Sequence, residues 1–299
     1  MYTQRTIGEW VGFYLTDRRA SNLAQGSLRF YKQKLEVMEQ FCRDNGVTNV
    51  EAITPDLLRR WLLDMEDKGH NPGGVHAGFR TARAFLRWYE LEVDPRDWRN
   101  PIKRVKAPRM AQELLEPVEL TDVEALIRVC DTTTFNGLRD RAMLICLLDT
   151  GCRASEFLAV DYADLNVDSG AIIVRQGKGR KYRTVFLGQK ARRALRAYLR
   201  FHPADSGPLW VTSQGTRLEY RSLRSIVERR SRLAGIKMPT LHSFRRAFAL
   251  NALRSGMDVY SLKTLMGHSD LQILQRYLKQ TDGDLMAAHR LHSPADKLS

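Results

Sequence analysis

The chain has 299 residues, 43% of them hydrophobic and 27% charged, with a formal net charge of +14. That length favours two domains over a single core. No apolar run approaches a membrane span and the N-terminus lacks a signal-peptide core, so the expectation is an intracellular, cytoplasmic protein. Basic residues exceed acidic ones by 19 to 14 up to position 110 and by 29 to 20 beyond it. A cationic surface on both parts favours a polyanionic partner, with nucleic acid first; charge alone leaves a merely soluble basic protein open. The four cysteines show no metal-type pairing, and Cys42, Cys130 and Cys146 fall on apolar helix faces, as reduced buried thiols do.

The first hundred residues read as helices. Ile7, Val11, Tyr14 and Leu15 form one apolar stripe, and Leu28, Leu35, Met38, Phe41 and Cys42 form a longer one ending near Asn45-Gly46. Thr54-Pro55 reads as the cap of a third helix, carrying Leu58, Trp61, Leu62 and Met65 and stopping at Gly69. A fourth is expected from about Val75 to Leu91, with Arg80, Arg83 and Arg87 forming one basic stripe. Four helices over 1–99 imply a compact bundle. Pro95, Pro101, Pro108 and Pro117 then interrupt the pattern, with Lys103, Arg104, Lys106 and Arg109 between them. This reads as a basic linker over 100–117, either tracking a charged surface or acting as a solvated tether.

A second domain is expected over 118–299. Helices read at 122–130 and 138–149, and two β-type runs at 171–175 and 182–187 flank the turn Gln176-Gly177-Lys178-Gly179-Arg180-Lys181, giving a hairpin with a basic tip. Further helices are expected at 189–201, 221–234, 243–255, 258–266, 270–279 and 282–291. The domain is therefore mainly α with a small sheet. Asp161, Asp164 and Asp168 read as a solvated loop rather than a metal triad.

The chemistry-bearing residues lie in this domain. Thr150-Gly151-Cys152-Arg153 puts an arginine just after a helix end, with Glu156 three residues on to hold its guanidinium. His242 and Arg245 share one helix turn. His268 follows Gly267, and Tyr277 lies beyond it. Taken singly, these are a surface cation, a capping imidazole and a half-buried phenol. Together they hold what metal-free phosphodiester cleavage needs: a nucleophile, cations for the phosphate charge and a proton donor.

The ordered set Arg153, Lys178, His242-x-x-Arg245, His268, Tyr277 resembles the tyrosine recombinases, the phage integrase family. Thr-Gly-Cys-Arg-Ala-Ser-Glu around Arg153, Gln-Gly-Lys-Gly at the hairpin and Leu-Met-Gly-His-Ser-Asp before Tyr277 match it too. Phe244 and Arg246 depart from the family's His-x-Leu-Arg-His. The resemblance covers nearly the whole chain and is nearest to Xer-like two-domain recombinases and simple integrases. It implies a four-helix, SAM-like core-binding domain and an α+β catalytic domain that together form a C-shaped DNA clamp. It also implies Tyr277 as nucleophile, Arg153 and Arg245 on the phosphate oxygens, and His242 accepting or relaying the tyrosine proton. His268 would hydrogen-bond the phosphate and Lys178 would protonate the leaving oxygen. No cofactor or metal is implied. The implied partners are a double-stranded DNA recombination site and a homotetramer, or a heterotetramer with a second recombinase, with accessory proteins a further option. The implied setting is the nucleoid of a bacterium or phage host. Further DNA-contact candidates are Arg80, Arg83, Arg87, Lys103, Arg104, Lys106, Arg180, Lys181 and Arg246. A DNA-binding protein that does not cut, a type IB topoisomerase and, remotely, a metal-dependent transposase are the competing readings.

Overall fold

Side-chain caps set where the first helices begin. The computed structural model describes residues 5–109, 116–175, 182–203 and 206–267, with 286, 289–290, 293 and 295–297 near the end. Helix α1 (Ile7–Ala20) starts on a reciprocal cap, in which Glu9 N–H donates to Thr6 Oγ1 and Thr6 N–H donates back to Glu9. Helix α2 spans Gln25–Asp44, and α3 (Pro55–Asp67) starts on Thr54, whose hydroxyl accepts from Leu57 N–H at 3.1 Å. Helix α4 (Pro72–Val93) begins three residues before the expected start. The Asn71 side chain caps Gly74 N–H at 2.7 Å and Pro72 fits the first turn, which together outweigh Gly73 and Gly74.

These four helices enclose an aromatic core of Trp10, Tyr14, Trp61, Phe85 and Tyr89. Gly78 lies against Met65 and Trp61, where a methyl group would crowd both. Arg80, Arg83 and Arg87 stand exposed on the opposite face of α4. The expected linker begins differently from the sequence reading. Pro101–Arg104 forms a 3-10 turn, Ile102 and Val105 are buried in the helical core, and buried Asn100 donates to the Leu86 carbonyl at 3.0 Å. Lys103, Arg104 and Lys106 remain exposed. The chain divides at 113/114 into two units, Met1–Glu113 and Leu114–Ser299.

In the second unit, α5 (Leu120–Arg128), α6 (Phe135–Thr150) and the short α7 (Ala154–Leu158) precede a three-stranded antiparallel sheet. Its strands are β1 (Leu165–Asn166), β2 (Ala171–Arg175) and β3 (Tyr182–Phe186), with Ile173 opposite Thr184. Then come α8 (Gln189–Leu199), α9 (Tyr220–Ala234), α10 (Leu241–Arg254) and α11 (Val259–Met266). The core includes Trp210, which stacks with Phe157 at 4.7 Å and with Tyr198 at 5.6 Å. Asp140 on α6 is fully buried; Arg139 meets one of its oxygens at 2.8 Å, while Arg230 (2.7 Å) and Arg229 (3.1 Å) meet the other.

Two readings of the sequence change here. Asp164 is buried and bonded to Arg175 at 2.5 Å, so it is a structural ion-pair partner and not part of a solvated loop. Asp161 pairs with Arg217 while partly exposed, and Asp168, paired with Arg196, stays solvent-exposed as expected. Strand β1 and helix α7 were not anticipated, being too short to show periodicity. All four cysteines are buried and unpaired in disulfides. No helix among the described residues is long and apolar enough to cross a membrane. The expected helix at 270–279 lies outside the described residues, as does most of 282–291.

Candidate active site

Helix α6 ends at Gly151, which adopts the left-handed conformation (φ 57°) against the Phe248 ring. Any larger residue would meet that ring, and an L side chain would be strained at this φ. This sharp exit delivers Cys152 to the interior and Arg153 to the surface, where Arg153 precedes the first turn of α7. Glu156 then closes on it: Arg153 N–H donates to one carboxylate oxygen at 3.0 Å and Arg153 Nη1 to the other at 2.7 Å. The sequence-predicted support of Arg153 by Glu156 is thus present as a two-point contact.

Helix α10 starts on Thr240, whose hydroxyl accepts from Ser243 N–H at 3.1 Å. His242 lies in this first turn, partly open to solvent and partly enclosed, and Arg245 follows on the same face but turned inward, with 1% of its surface exposed. Arg245 Nη1 donates to the Gly151 carbonyl and Nη2 to the Met266 carbonyl, each at 2.7 Å. One guanidinium therefore ties the end of α6 to the end of α11. Arg246 is also buried rather than presented to solvent, and its Nη1 donates to the Glu116 carbonyl at 3.4 Å. Arg246 thus joins Arg245 as a largely buried cation whose charge acts on His242.

The electrostatics converge on His242. Loss of surrounding water, then Arg246, Arg245 and Arg153, all push its pKa below the ordinary 6.5, so the imidazole is neutral at neutral pH and ready to accept a proton. Glu156 shows the opposite balance. Burial raises its pKa, but hydrogen bonds from Arg183 and Arg153 outweigh that and hold it below the ordinary carboxylate range.

Arg183 on β3 did not emerge from the sequence. It is buried, with Nη2 on Glu156 at 2.6 Å and Nε on the Leu265 carbonyl at 2.8 Å. A signal existed: β3 alternates exposed and buried, and Arg183 falls in phase with Val185 on the inward face. The structure thus brings together Arg153, Glu156, His242, Arg245 and Arg246. Lys178, Arg180, Lys181, His268 and Tyr277 lie outside the described residues. Arg80, Arg83, Arg87, Lys103, Arg104 and Lys106 belong to the other unit.

A model of the phage integrase family matches residues 117–283. The chain belongs to the phage integrase family. Over 278 residues this integrase-family chain is 27% identical to tyrosine recombinase XerD of Staphylococcus epidermidis, covering 91% of this chain and 92% of that protein. It is 28% identical over 282 residues to tyrosine recombinase XerC of Oceanobacillus iheyensis, with the same coverage of each. Among solved structures, a lambda integrase dimer bound to a COC' core site has a similar fold (TM-score 0.76, 15% identity, covering 93% of this chain and 79% of that one). So does XerH site-specific recombinase bound to a palindromic difH substrate in a post-cleavage complex (TM-score 0.72, 18% identity, 94% and 83%). The mainly helical fold with a small sheet is the fold of these recombinases.

Proposed function

We propose that this chain is a site-specific DNA recombinase that cuts and rejoins DNA strands through a 3′-phosphotyrosyl intermediate. The observation that carries the reading is Arg153 held at two points by Glu156, with Arg245 bonded to the Gly151 carbonyl two residues before it and His242 on the same helix as Arg245, in a chain of the integrase family. A neutral imidazole accepts the proton of a phenol, and the guanidiniums neutralise charge that builds on phosphate oxygens.

In this reading the Tyr277 oxygen attacks the scissile phosphorus, giving its proton to His242. The bond from phosphorus to the 5′-oxygen breaks, and Lys178 protonates that oxygen. Arg153 and Arg245 hold the non-bridging oxygens and His268 hydrogen-bonds to one of them. A 5′-hydroxyl from a partner strand then attacks the phosphotyrosine, releasing the phenol and restoring the phosphodiester. The bond energy is retained in the covalent link, so no nucleotide hydrolysis is required.

The partner is double-stranded DNA, bound by basic residues of both units. The working assembly is a tetramer on two sites, of this chain alone or with a second recombinase, acting in the cytoplasm. The segment 282–291 would dock each protomer on its neighbour.

The deciding experiment uses a duplex selected from a random-sequence pool by affinity for the full chain. Wild type should form a protein–DNA adduct that survives denaturation and persists in EDTA, and Tyr277→Phe should not. Binding without an adduct would leave a non-cleaving DNA-binding protein. Relaxation of any supercoiled plasmid regardless of sequence would favour a topoisomerase. Truncation after Lys279 should retain binding and lose strand exchange; full recombination by the truncated chain would remove the docking role.

A further inference from the structure

The Arg183 guanidinium is expensive to bury, and stability does not explain its presence. A buried ion pair generally holds a fold no better than apolar side chains of similar volume. On β3 its inward neighbour is Val185, so an apolar residue would suit the site. Moreover, Arg183 Nη1 is buried without a hydrogen-bond partner among the described residues, which an apolar replacement would avoid.

What Arg183 does is join three segments. Nη2 bonds Glu156 at 2.6 Å, and the other oxygen of that carboxylate bonds Arg153 Nη1 at 2.7 Å. Nε bonds the Leu265 carbonyl at 2.8 Å, three residues before His268. Its own strand, β3, begins four residues after Lys178 in the sequence. The Glu156 carboxylate is thus shared between one buried guanidinium and one exposed guanidinium. The buried one is fixed by strand and helix, so it fixes the carboxylate, and the carboxylate fixes the exposed one.

We infer that Arg183 is a positioning residue for strand cleavage, acting through Glu156 to hold Arg153 in place to receive the phosphate. This rests on the recombinase reading. Arg153 side-chain exposure is 44%, so without the Arg183–Glu156 anchor its long side chain would sample many rotamers. The anchor supplies pre-organisation, and misplacement by about 1 Å lowers rates on the order of a hundredfold.

The test uses the full chain and the selected duplex, with wild type and Tyr277→Phe establishing the adduct. Arg183→Met and Glu156→Gln should each slow single-turnover adduct formation by about a hundredfold, with duplex affinity close to wild type. The double variant should be no slower than the slower single one, because both act through one link. Arg183→Lys, which keeps the charge but lacks the fork, should recover part of the rate. A wild-type rate in Arg183→Met would overturn the inference. So would losses that multiply in the double variant, or a defect confined to DNA affinity. If Arg183→Met fails to fold, Glu156→Gln and Arg183→Lys decide: a wild-type rate in Glu156→Gln, or a defect in either that is confined to DNA affinity, overturns the inference. Absence of any adduct from wild type would overturn the recombinase reading itself, a separate outcome.

Discussion

The guanidinium of Arg245 donates to the Gly151 carbonyl at 2.7 Å, and so fixes the backbone two residues before Arg153. The same side chain holds the Met266 carbonyl, two residues before His268. A lysine ammonium is a point charge that cannot reproduce that fixed fork. Arg245→Lys should leave a buried carbonyl without its donor and lower stability by about 1–3 kcal/mol. Cleavage should fall by about a hundredfold or more. Urea denaturation and adduct formation on the selected duplex measure the two effects.

Gly151→Ala should destabilise the second unit by about 1–3 kcal/mol from backbone strain alone, and more from contact with Phe248. Adding Phe248→Ala removes the contact and leaves the strain, so the double variant should recover only part of the loss. Thermal denaturation of both variants tests this division.

His242 sets a pH dependence with a definite sign. Its folded pKa lies below 6.5, so between the folded and unfolded values the unfolded chain binds more protons. Stability from this group is complete above about pH 6.5 and is lost as pH falls through the folded value. Cleavage should fall over the same window as the ring becomes protonated. His242→Gln should flatten the stability profile below neutrality, measured as the urea midpoint against pH.

Asp140→Asn leaves Arg139 and Arg230 buried without their shared anion. Removing one partner from a buried ionic cluster costs about 3–5 kcal/mol, so the variant should show a markedly lower denaturation midpoint. Asp140→Glu, which keeps the charge, should fall between the two.

The exposed stripe of Arg80, Arg83 and Arg87 predicts a salt effect. If each meets a phosphate, replacing all three with Gln should reduce the log–log salt slope of DNA binding by about 2–3. Affinity should fall similarly for different duplexes, because phosphate contacts carry no base sequence. An unchanged slope would take this face out of the DNA interface.

Helix positions were legible where a chemical stop coincided with a periodic stripe. Thr54-Pro55 located α3 and Gly151 located the end of α6, because capping and left-handed geometry are local properties. The start of α4 was misplaced because the apolar residues begin only at Val75, while the Asn71 side chain caps the helix earlier. The pairing of Arg153 with Glu156 was legible from spacing within one turn. Arg183 was not, since its partners Glu156 and Leu265 are 27 and 82 residues away. Burial of Arg246 and Asp164 was hidden for the same reason: a charged residue reads as exposed until its distant partner is known.

Trp210 is the one indole of the second unit; the other four tryptophans, at 10, 61, 88 and 98, belong to the first. One of its stacking partners, Phe157, immediately follows Glu156 on α7. In a background with the other four changed to Phe, its fluorescence becomes a private optical reporter of the segment that carries Arg153. Stopped-flow mixing with DNA could then time the settling of that segment against formation of the covalent bond.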